Sequence, residues 1–470
     1  MRVILIHPSA FDLYGKWEDS VGVWPPLGIS YIASFLEKHN HTVKIIDANA
    51  EHKDIPAVVR EIEAFGPDII GITSVTVLIV PSFKLAKAIK SVMNVPIVLG
   101  GPHPATVPLD TMRNEDVDFV VSGEGEYTML ELLRCLEKGE GFEGVKGLFF
   151  RKEGKVIENQ RRELIEDLDA LPWPAFHLLP IDRYKTRSYS DNGRPWVSMC
   201  GSRGCPSLCN FCAAPVIHGR RPRFRSPENI VEEMKYLRDK YGIGNITFVD
   251  STLNISKENT IKLCRLMISE KVNVEWQCEA RVSSADEESL KSMYESGCRL
   301  VAFGIESGDE KILKIIKKGI TLEQARRAVK AAKSAGMMIL TSFIFGHFGE
   351  TRETAKRTID FAIELNANIS FFFILTPFPG TEVYEELTRQ GKIIHDWTQY
   401  SIGYSKRTPC VETEELKRAD LEEFVNIAHK RFFFRPAYIV NHFKHLNNWR
   451  RVKREFNSFI QVMKLVLTKK

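Results

Sequence analysis

Short runs of Val, Ile and Leu alternate with stretches whose apolar residues recur at helical spacing, and they do so twice along the chain. In residues 1–150 the runs are RVILIH (2–7), TVKIID (42–47), DIIGITS (68–74), VPIVLGG (95–101) and VDFVVSG (117–123). Between them Leu27, Tyr31, Phe35 and Leu36, and later Phe83, Leu85, Ala86 and Ile89, mark amphipathic helices. Unbroken Val/Ile runs are what strands buried on both faces look like. Strands joined through helices run parallel with right-handed crossovers, so a doubly wound α/β sheet is expected. A ligand on such a sheet lies over the carboxyl ends of its strands, here Pro8–Ala10, Thr73–Thr76, Gly100–His103 and Gly123–Glu126.

Residues 151–190 read as a connector, because LPWPAFHLLP (171–180) has three prolines and resists regular structure. A second alternating series fills 191–390. Strands are expected at 195–200, 245–250, 273–279, 299–305, 338–346 and 369–376, and helices at 227–241, 256–271, 286–297, 309–317, 322–335 and 351–365. Ser226-Pro227-Glu228, and Ser256 with Asn259, supply helix starts. Six strand–helix repeats predict a partial (β/α)6 barrel. Residues 391–470 form the last region, helical and aromatic from 412 onward.

A chain of 470 residues holds two to four domains. The N-terminal MRVILIHPS reads as a strand and not as an export signal, and no run of about 18 apolar residues occurs, so a cytoplasmic location is expected. From Lys430 to Lys470 there are eleven Lys or Arg against the single acid Glu455, in a chain whose total charge is only +5. Membrane-surface contact, an anionic or lipidic substrate, and nucleic acid are the functional readings of this tail, in falling order for membrane over nucleic acid. A helical cap packed on the barrel with a solvated basic face is preferred to all three.

Three of the nine cysteines crowd into Cys205-Pro-Ser-Leu-Cys209-Asn-Phe-Cys212. An odd total with one tight cluster argues for metal binding in a reducing compartment. A four-iron, four-sulfur cube needs four ligands; with three thiolates one iron stays open to a chelating amino and carboxylate pair. The alternative is a structural zinc site with Cys200 as fourth ligand, whose spacing departs from the usual paired C-x2-C pattern. Cys135, Cys264, Cys278, Cys298 and Cys410 read as buried, inert thiols.

The C-x3-C-x2-C spacing, with aromatic Phe211 before the last Cys and Ser202-Arg203-Gly204 ahead, resembles the radical S-adenosylmethionine superfamily. The resemblance spans roughly residues 195–380. It implies S-adenosylmethionine contacts at Phe211, at Asp250 and Ser251 past the second strand, and at Arg281 past the third. It implies others at Glu306 and Ser307 in Gly304-Ile-Glu-Ser-Gly308, at Gly346, and at Pro377 in Thr376-Pro-Phe-Pro-Gly-Thr381. Gly346-His347-Phe348-Gly349 stands where Gly-Leu-Pro-Gly is usual, and His347 reads as a packed, neutral side chain. Catalytic side chains beyond these are not assigned.

His7-Pro8, Trp24-Pro-Pro-Leu27-Gly28, Pro67-Asp68, Gly100-Gly-Pro-His103 and Gly123-Glu-Gly-Glu126 resemble the cobalamin-binding domain fused to many such enzymes. That implies cobalamin contacts at Ser9, Leu27, Gly28, Thr73, Ser74, Gly100, Gly101, His103, Gly123 and Glu124. The Asp-x-His-x-x-Gly signature for a His below cobalt is absent, and neither Asp12 nor Tyr14 can be assigned that place. The pattern is similar to the subgroup of magnesium-protoporphyrin ester cyclase and the cobalamin-dependent methylases. Methylthiotransferases carry three more cysteines in the first domain, where this chain has only Cys135; enzymes with auxiliary clusters need several after the barrel, where it has only Cys410.

The resemblance implies a [4Fe-4S] cluster, S-adenosylmethionine and cobalamin as cofactors. It implies a small-molecule substrate, electrons from a flavodoxin or ferredoxin, an oxygen-protected setting, and methyl transfer to an unactivated carbon by way of a 5′-deoxyadenosyl radical. Ring closure of the porphyrin cyclase kind is the alternative reaction, and a non-catalytic cobalamin or iron–sulfur sensor the alternative class.

Overall fold

The computed structural model describes residues 1–10, 22–184, 193–393, 396–400, 408–436 and 438. Asp12, Tyr14 and the basic stretch 439–470 lie outside them. The chain divides into two compact units: 1–206, 212–249 and 378–409 form the first, and 207–211, 250–377 and 410–470 the second.

The first unit contains all five expected N-terminal strands: β1 (Arg2–His7), β2 (Thr42–Asp47), β3 (Ile69–Thr73), β4 (Ile97–Gly100) and β5 (Phe119–Val121). They are parallel in the order β2-β1-β3-β4-β5. Val3, Ile4, Leu5 and Ile6 of β1, an interior strand, are almost completely buried, as the unbroken apolar run requires. The winding reverses at β1: the chain leaves it for β2 on one side and returns to β3 on the other. The crevice between the carboxyl ends of β1 and β3 is therefore the topological switch point.

Two more strands, β6 (Leu148–Lys152) and β7 (Lys155–Glu158), extend this sheet antiparallel from β5, where the sequence reading has a connector from residue 151. Glu153 and Gly154 both take positive φ, 51° and 75°, the two-residue turn that suits a tight hairpin. The proline-rich stretch 171–180 forms one short turn of 3₁₀ helix, Phe176–Leu178.

All six strands of the second series form, in chain order. The first unit holds β8 (Trp196–Met199) and β11 (Asn245–Phe248), paired in parallel, with the short antiparallel pair β9 (Ser202–Arg203) and β10 (Arg223–Phe224) between them in sequence. The helix Pro227–Tyr241 starts where the Ser226 hydroxyl accepts the Asn229 N–H at 3.1 Å and ends at Gly242, φ 66°.

The second unit is built on four parallel strands, β12 (Glu275–Ala280), β13 (Cys298–Glu306), β14 (Met338–Phe345) and β15 (Ile369–Ile374), each next to its sequence neighbour. One face of this sheet is packed: Phe343, Phe345 and Phe372 stack there and meet Phe424, His429 and Phe432 of the helix Arg418–Phe433. Arg418–Phe433 is thus helical and packed on the sheet, while the basic stretch that the cap reading concerns lies almost wholly outside the described residues. The opposite face is open, carrying Glu279, Phe371 and Phe373 on its outer strands and glycine at 304. No closed barrel forms among the described residues.

Gly308 shows how tightly the packed side is set. A Cβ there would stand 2.6 Å from Phe361 Cβ and 2.7 Å from Thr358 Cα, with Arg357 O at 2.8 Å. Gly308→Ala is expected to cost about 1–3 kcal/mol through overpacking, read as a lower urea midpoint at unchanged slope.

Candidate functional site

The cysteine loop is built from both ends. Gly204, φ 96°, brings the chain against the Arg221 carbonyl, which a side chain would strike. The Cys205 N–H then bonds Gly219 O at 3.1 Å. In the second unit the Asn210 N–H and Nδ2 donate to the carbonyls of Ile316 and Ile315, both at 3.2 Å, seating the loop on the end of the helix Glu310–Ile315. Arg281 Nη1 donates to Ser207 Oγ at 2.9 Å. Cys205 is buried, Cys209 and Cys212 half-buried, and none of the nine cysteines is in a disulfide.

Among the described residues no three His, Cys, Asp or Glu side chains converge on a single ion. Cys205, Cys209 and Cys212 offer three unbridged thiols on one loop, the type and number of donors that a cluster with three protein ligands takes. Cys200, the fourth ligand a zinc site would take, donates its thiol to Ser202 O at 3.0 Å.

The S-adenosylmethionine candidates fall into two groups. Arg281 and Glu306 come together with the cysteine loop through Lys318, which sequence reading missed. Lys318 Nζ is 2.9 Å from Glu306 Oε1, and the Lys318 carbonyl accepts from Arg281 Nη2. Burial alone would lower the Lys318 ammonium; the charges of Glu306 and Cys209 outweigh it and hold the group above its ordinary range. Glu306 itself has φ 72°, a strained conformation for a side chain of this size. Asn254, also missed, fixes the Arg281 backbone by accepting its N–H at 2.7 Å and donating to its carbonyl at 3.0 Å.

The remaining candidates are dispersed. Ser307 Oγ lies 3.2 Å from Thr358 Oγ1 and accepts the Asp309 N–H, so it serves the packed side of the sheet. Gly346, φ 94°, opens a loop in which Glu350 Oε2 accepts the N–H groups of Gly346 and His347. His347 is buried and tilted against Phe211 at 5.5 Å, and burial drives its pKa down to about 3, so it is neutral. Asp250 and Pro377 are buried and Ser251 is half-buried, at the edges of the second unit.

In the first unit a cavity of 160 Å³ opens at the β1/β3 switch point, lined by His7, Leu27, Gly28, Thr73, Val75 and Leu78 among others. A Cβ on Gly28 would meet nothing within 4 Å. Gly101, φ 98°, lets the β4 loop close on β3: a Cβ would lie 2.8 Å from Thr73 Oγ1 and 2.9 Å from Ser74 O. Ser74 N–H bonds Gly100 O at 2.8 Å, and His103 N–H bonds Ser74 O at 3.1 Å. His103 is buried edge-on to Trp397 at 4.6 Å; burial lowers its pKa to about 4, and its Nε2 has no partner. Ser9 is half-buried.

Gly123 is half-buried, φ 88°, with open space where a Cβ would stand. Glu124 lies in a buried ion network, with Oε1 3.1 Å from Arg203 Nη1 and Oε2 2.8 Å from Arg223 Nη1. The Ile165 N–H adds a bond at 2.8 Å, and Arg203 also reaches Glu126 at 2.7 Å. A crevice at a switch point, with glycine-bearing loops at the neighbouring strand ends, is the place where a parallel sheet receives a ligand.

A three-cysteine loop leading a parallel strand series, in a chain with a second sheet that carries a ligand crevice, defines a class of protein that runs cluster chemistry with a partner cofactor. Residues 199–362 match the Radical SAM superfamily and residues 18–133 the B12 binding domain. An uncharacterized methyltransferase of Pyrococcus horikoshii is 36% identical over 94% of both chains. A cytidylyl-2-hydroxyethylphosphonate methyltransferase of Streptomyces wedmorensis is 30% identical, with 86% of this chain and 85% of that one covered. The anaerobic magnesium-protoporphyrin IX monomethyl ester cyclase of Rubrivivax gelatinosus is 28% identical over 93% of this chain and 78% of its own.

In fold the chain is similar to the radical S-adenosylmethionine methyltransferase TsrM from Kitasatospora setae, at TM-score 0.74, 19% identity and 93% and 91% coverage. The cobalamin-dependent enzyme OxsB gives TM-score 0.77 at 17% identity, with 99% of this chain and 71% of that one covered. The chain belongs to the radical S-adenosylmethionine enzymes that carry a cobalamin-binding domain, and its cofactors are a [4Fe-4S] cluster, S-adenosylmethionine and cobalamin.

Proposed function

We propose that this enzyme transfers a methyl group to an unactivated carbon of an apolar small molecule. The observation that carries the reading is the relative named a methyltransferase at 36% identity across 94% of both chains, together with the two family matches. When bound, the cluster and S-adenosylmethionine supply a hydrogen-abstracting radical, and cobalamin supplies the methyl group. In this reading Cys205, Cys209 and Cys212 hold the cluster, and the protein orients three cofactors while excluding water. In this reading residues 1–150 with the β6–β7 hairpin form the cobalamin domain, the rest of 151–190 a connector, 191–390 the radical domain and 391–470 a C-terminal helical region.

The substrate class is supported by the open face of the second unit. Phe371 and Phe373 are 37% and 45% exposed there, with rings 6.0 Å apart. Exposed aromatic rings on the open face of a sheet suit an apolar ring-bearing ligand. A low-potential electron donor of the flavodoxin or ferredoxin kind completes the reaction in an oxygen-protected cell. Among the described residues no helix is long and apolar enough to cross a membrane. Contact of the basic tail with a membrane surface is proposed from its composition alone.

The test feeds methyl-labelled methionine to cells with and without the gene and compares extracts by mass spectrometry. Methyl transfer predicts a labelled product, heavier by one methylene than a precursor that accumulates in the deletion strain. A product of unchanged carbon count with an added ring favours the cyclase reaction, and no change in small molecules favours a sensor.

Filling the crevice gives a separate check. Gly28→Leu adds a side chain into open space and removes a helical glycine, so stability is expected to hold or rise by about 1 kcal/mol. Cobalamin retention after gel filtration is expected to be lost in the same protein.

A further inference from the structure

β1 and β2 lie side by side in parallel, and their last residues, His7 and Asp47, are register partners. Side chains paired in this way share one face of a sheet. An imidazole and a carboxylate therefore meet at the strand ends, with His7 Nδ1 3.0 Å from Asp47 Oδ1. His7 also lines the cavity at the β1/β3 switch point. We propose that His7 is the protein ligand to the cobalt of cobalamin, through Nε2, with Asp47 and Tyr184 holding the ring. The proposal rests on the reading of this crevice as the cobalamin site.

The tautomer follows from the partners. The Asp47 side chain is fully buried, and its carboxylate accepts from the Ala50 N–H at 3.0 Å and from the Tyr184 hydroxyl at 2.9 Å. A carboxylate among such donors accepts from His7 as well, so the proton of the neutral imidazole sits on Nδ1. Nε2 then carries the lone pair, and no bond from a described residue reaches it. A carboxylate behind the far nitrogen is what a metal-bound histidine commonly has: it fixes the ring and raises the basicity of the ligating nitrogen.

The cavity supplies the other half of the argument. Among the described residues lining it, His7 and Thr73 alone carry polar side chains, set among Leu27, Val75 and Leu78. Of the two, imidazole is the donor a transition metal prefers. The His7 side chain is 18% exposed and that of Asp47 not at all, so the open side of the ring is the one turned away from the carboxylate.

Tying the strands together is not what the pair is needed for. β1 and β2 are in register from Arg2 to His7, and the chain beyond β1 is held separately, where Asn49 Oδ1 accepts the Ala10 N–H at 3.1 Å. The Asp-x-His-x-x-Gly signature that would place a histidine past the first strand is missing from this chain. His7 supplies an imidazole from the end of the strand itself.

The experiment uses the full-length protein, made once with ordinary histidine and once with histidine carrying nitrogen-15 in its ring. Each is loaded with cobalamin without oxygen, reduced to the cobalt(II) state and read by electron paramagnetic resonance. The expected result is a nitrogen splitting that is a triplet in ordinary protein and a doublet in labelled protein. Labelled His7→Ala is expected to lose the doublet. Asp47→Asn is expected to change the size of the splitting and to weaken cobalamin binding by about tenfold.

A triplet that the label leaves unchanged puts the cofactor's own base on the cobalt and overturns the proposal, as does a signal with no nitrogen splitting. A doublet that survives in His7→Ala gives the cobalt to another histidine and overturns it too; His103, whose buried Nε2 has no partner, is the next candidate. His7→Gln takes the place of His7→Ala if the latter does not fold. A wild type that retains no cobalamin overturns the cofactor reading itself, which is a different result.

Discussion

Cys209→Ala is expected to abolish the cluster and all radical chemistry while leaving the fold in place. The site reading gives the cube three protein thiolates, and a cube held by two is lost to solution under chelation. Cys209 is half-buried, and the hydrogen bonds that seat its loop come from Asn210 and Ser207, not from the thiol. Removing one partly exposed sulfur therefore costs little packing. The expected results are near-background iron after desalting, no 5′-deoxyadenosine on reduction with S-adenosylmethionine, and a melting temperature within a few degrees of the wild-type apoprotein. The control is Cys264→Ala. Cys264 is fully buried, burial pushes its thiol up to about 12, and its loss should lower stability while the cluster loads normally. A Cys209→Ala protein that keeps stoichiometric iron and makes 5′-deoxyadenosine would overturn the ligand assignment. Cobalamin retention in that variant separates an enzyme with two cofactor sites from one in which the sites form together.

The strands were readable because both of their faces are buried. Every expected strand of both series exists, and β14 (Met338–Phe345) differs from its expected range by one residue. Helix starts were readable where a hydroxyl cap precedes the helix, as at Ser226 and Ser256. The β6–β7 hairpin was not, because Glu153-Gly154 is a weaker turn signal than Asn-Gly and the flanking strands are short.

The chemistry was less legible than the fold. Lys317-Lys318-Gly319 looks like a solvated loop after a helix, and only the fold reveals that one of the two lysines is inside, against Glu306. Glu124 was assigned to a ligand from its place after a strand, and its partners Arg203 and Arg223 stand 79 and 99 residues away, beyond any local pattern. Spacing along the chain pointed to the three cysteines proposed to hold the cluster. It could not say which charges the fold would pair.

That buried ion network should carry a large stability effect in the first unit. Arg203 and Arg223 share the Glu124 carboxylate, with side chains 10%, 3% and 3% exposed. Deleting Glu124 takes the carboxylate from Arg223 while Arg203 keeps Glu126, and leaving a buried charge without its partner typically costs about 3–5 kcal/mol. Glu124→Gln and Arg223→Met are each expected to lose that much in urea unfolding, and the double variant less than the sum, because the second change removes the charge the first left stranded. Arg203 stands two residues before Cys205, so Glu124→Gln should also load less iron even below its melting temperature.

The pH dependence has a fixed sign. Burial alone would raise the Glu124 carboxyl, but the hydrogen bond from Arg223 and the charge of Arg203 outweigh it and hold the group below its ordinary value. A carboxylate depressed in the folded state contributes stability that is fully present above its unfolded value, about 4.3, and is lost as pH falls below it. The wild type should therefore lose stability steadily as pH drops below about 4.3, and Glu124→Gln should show a shallower loss over the same range. Parallel curves for the two proteins would mean that the network titrates outside this window and that its contribution is packing alone.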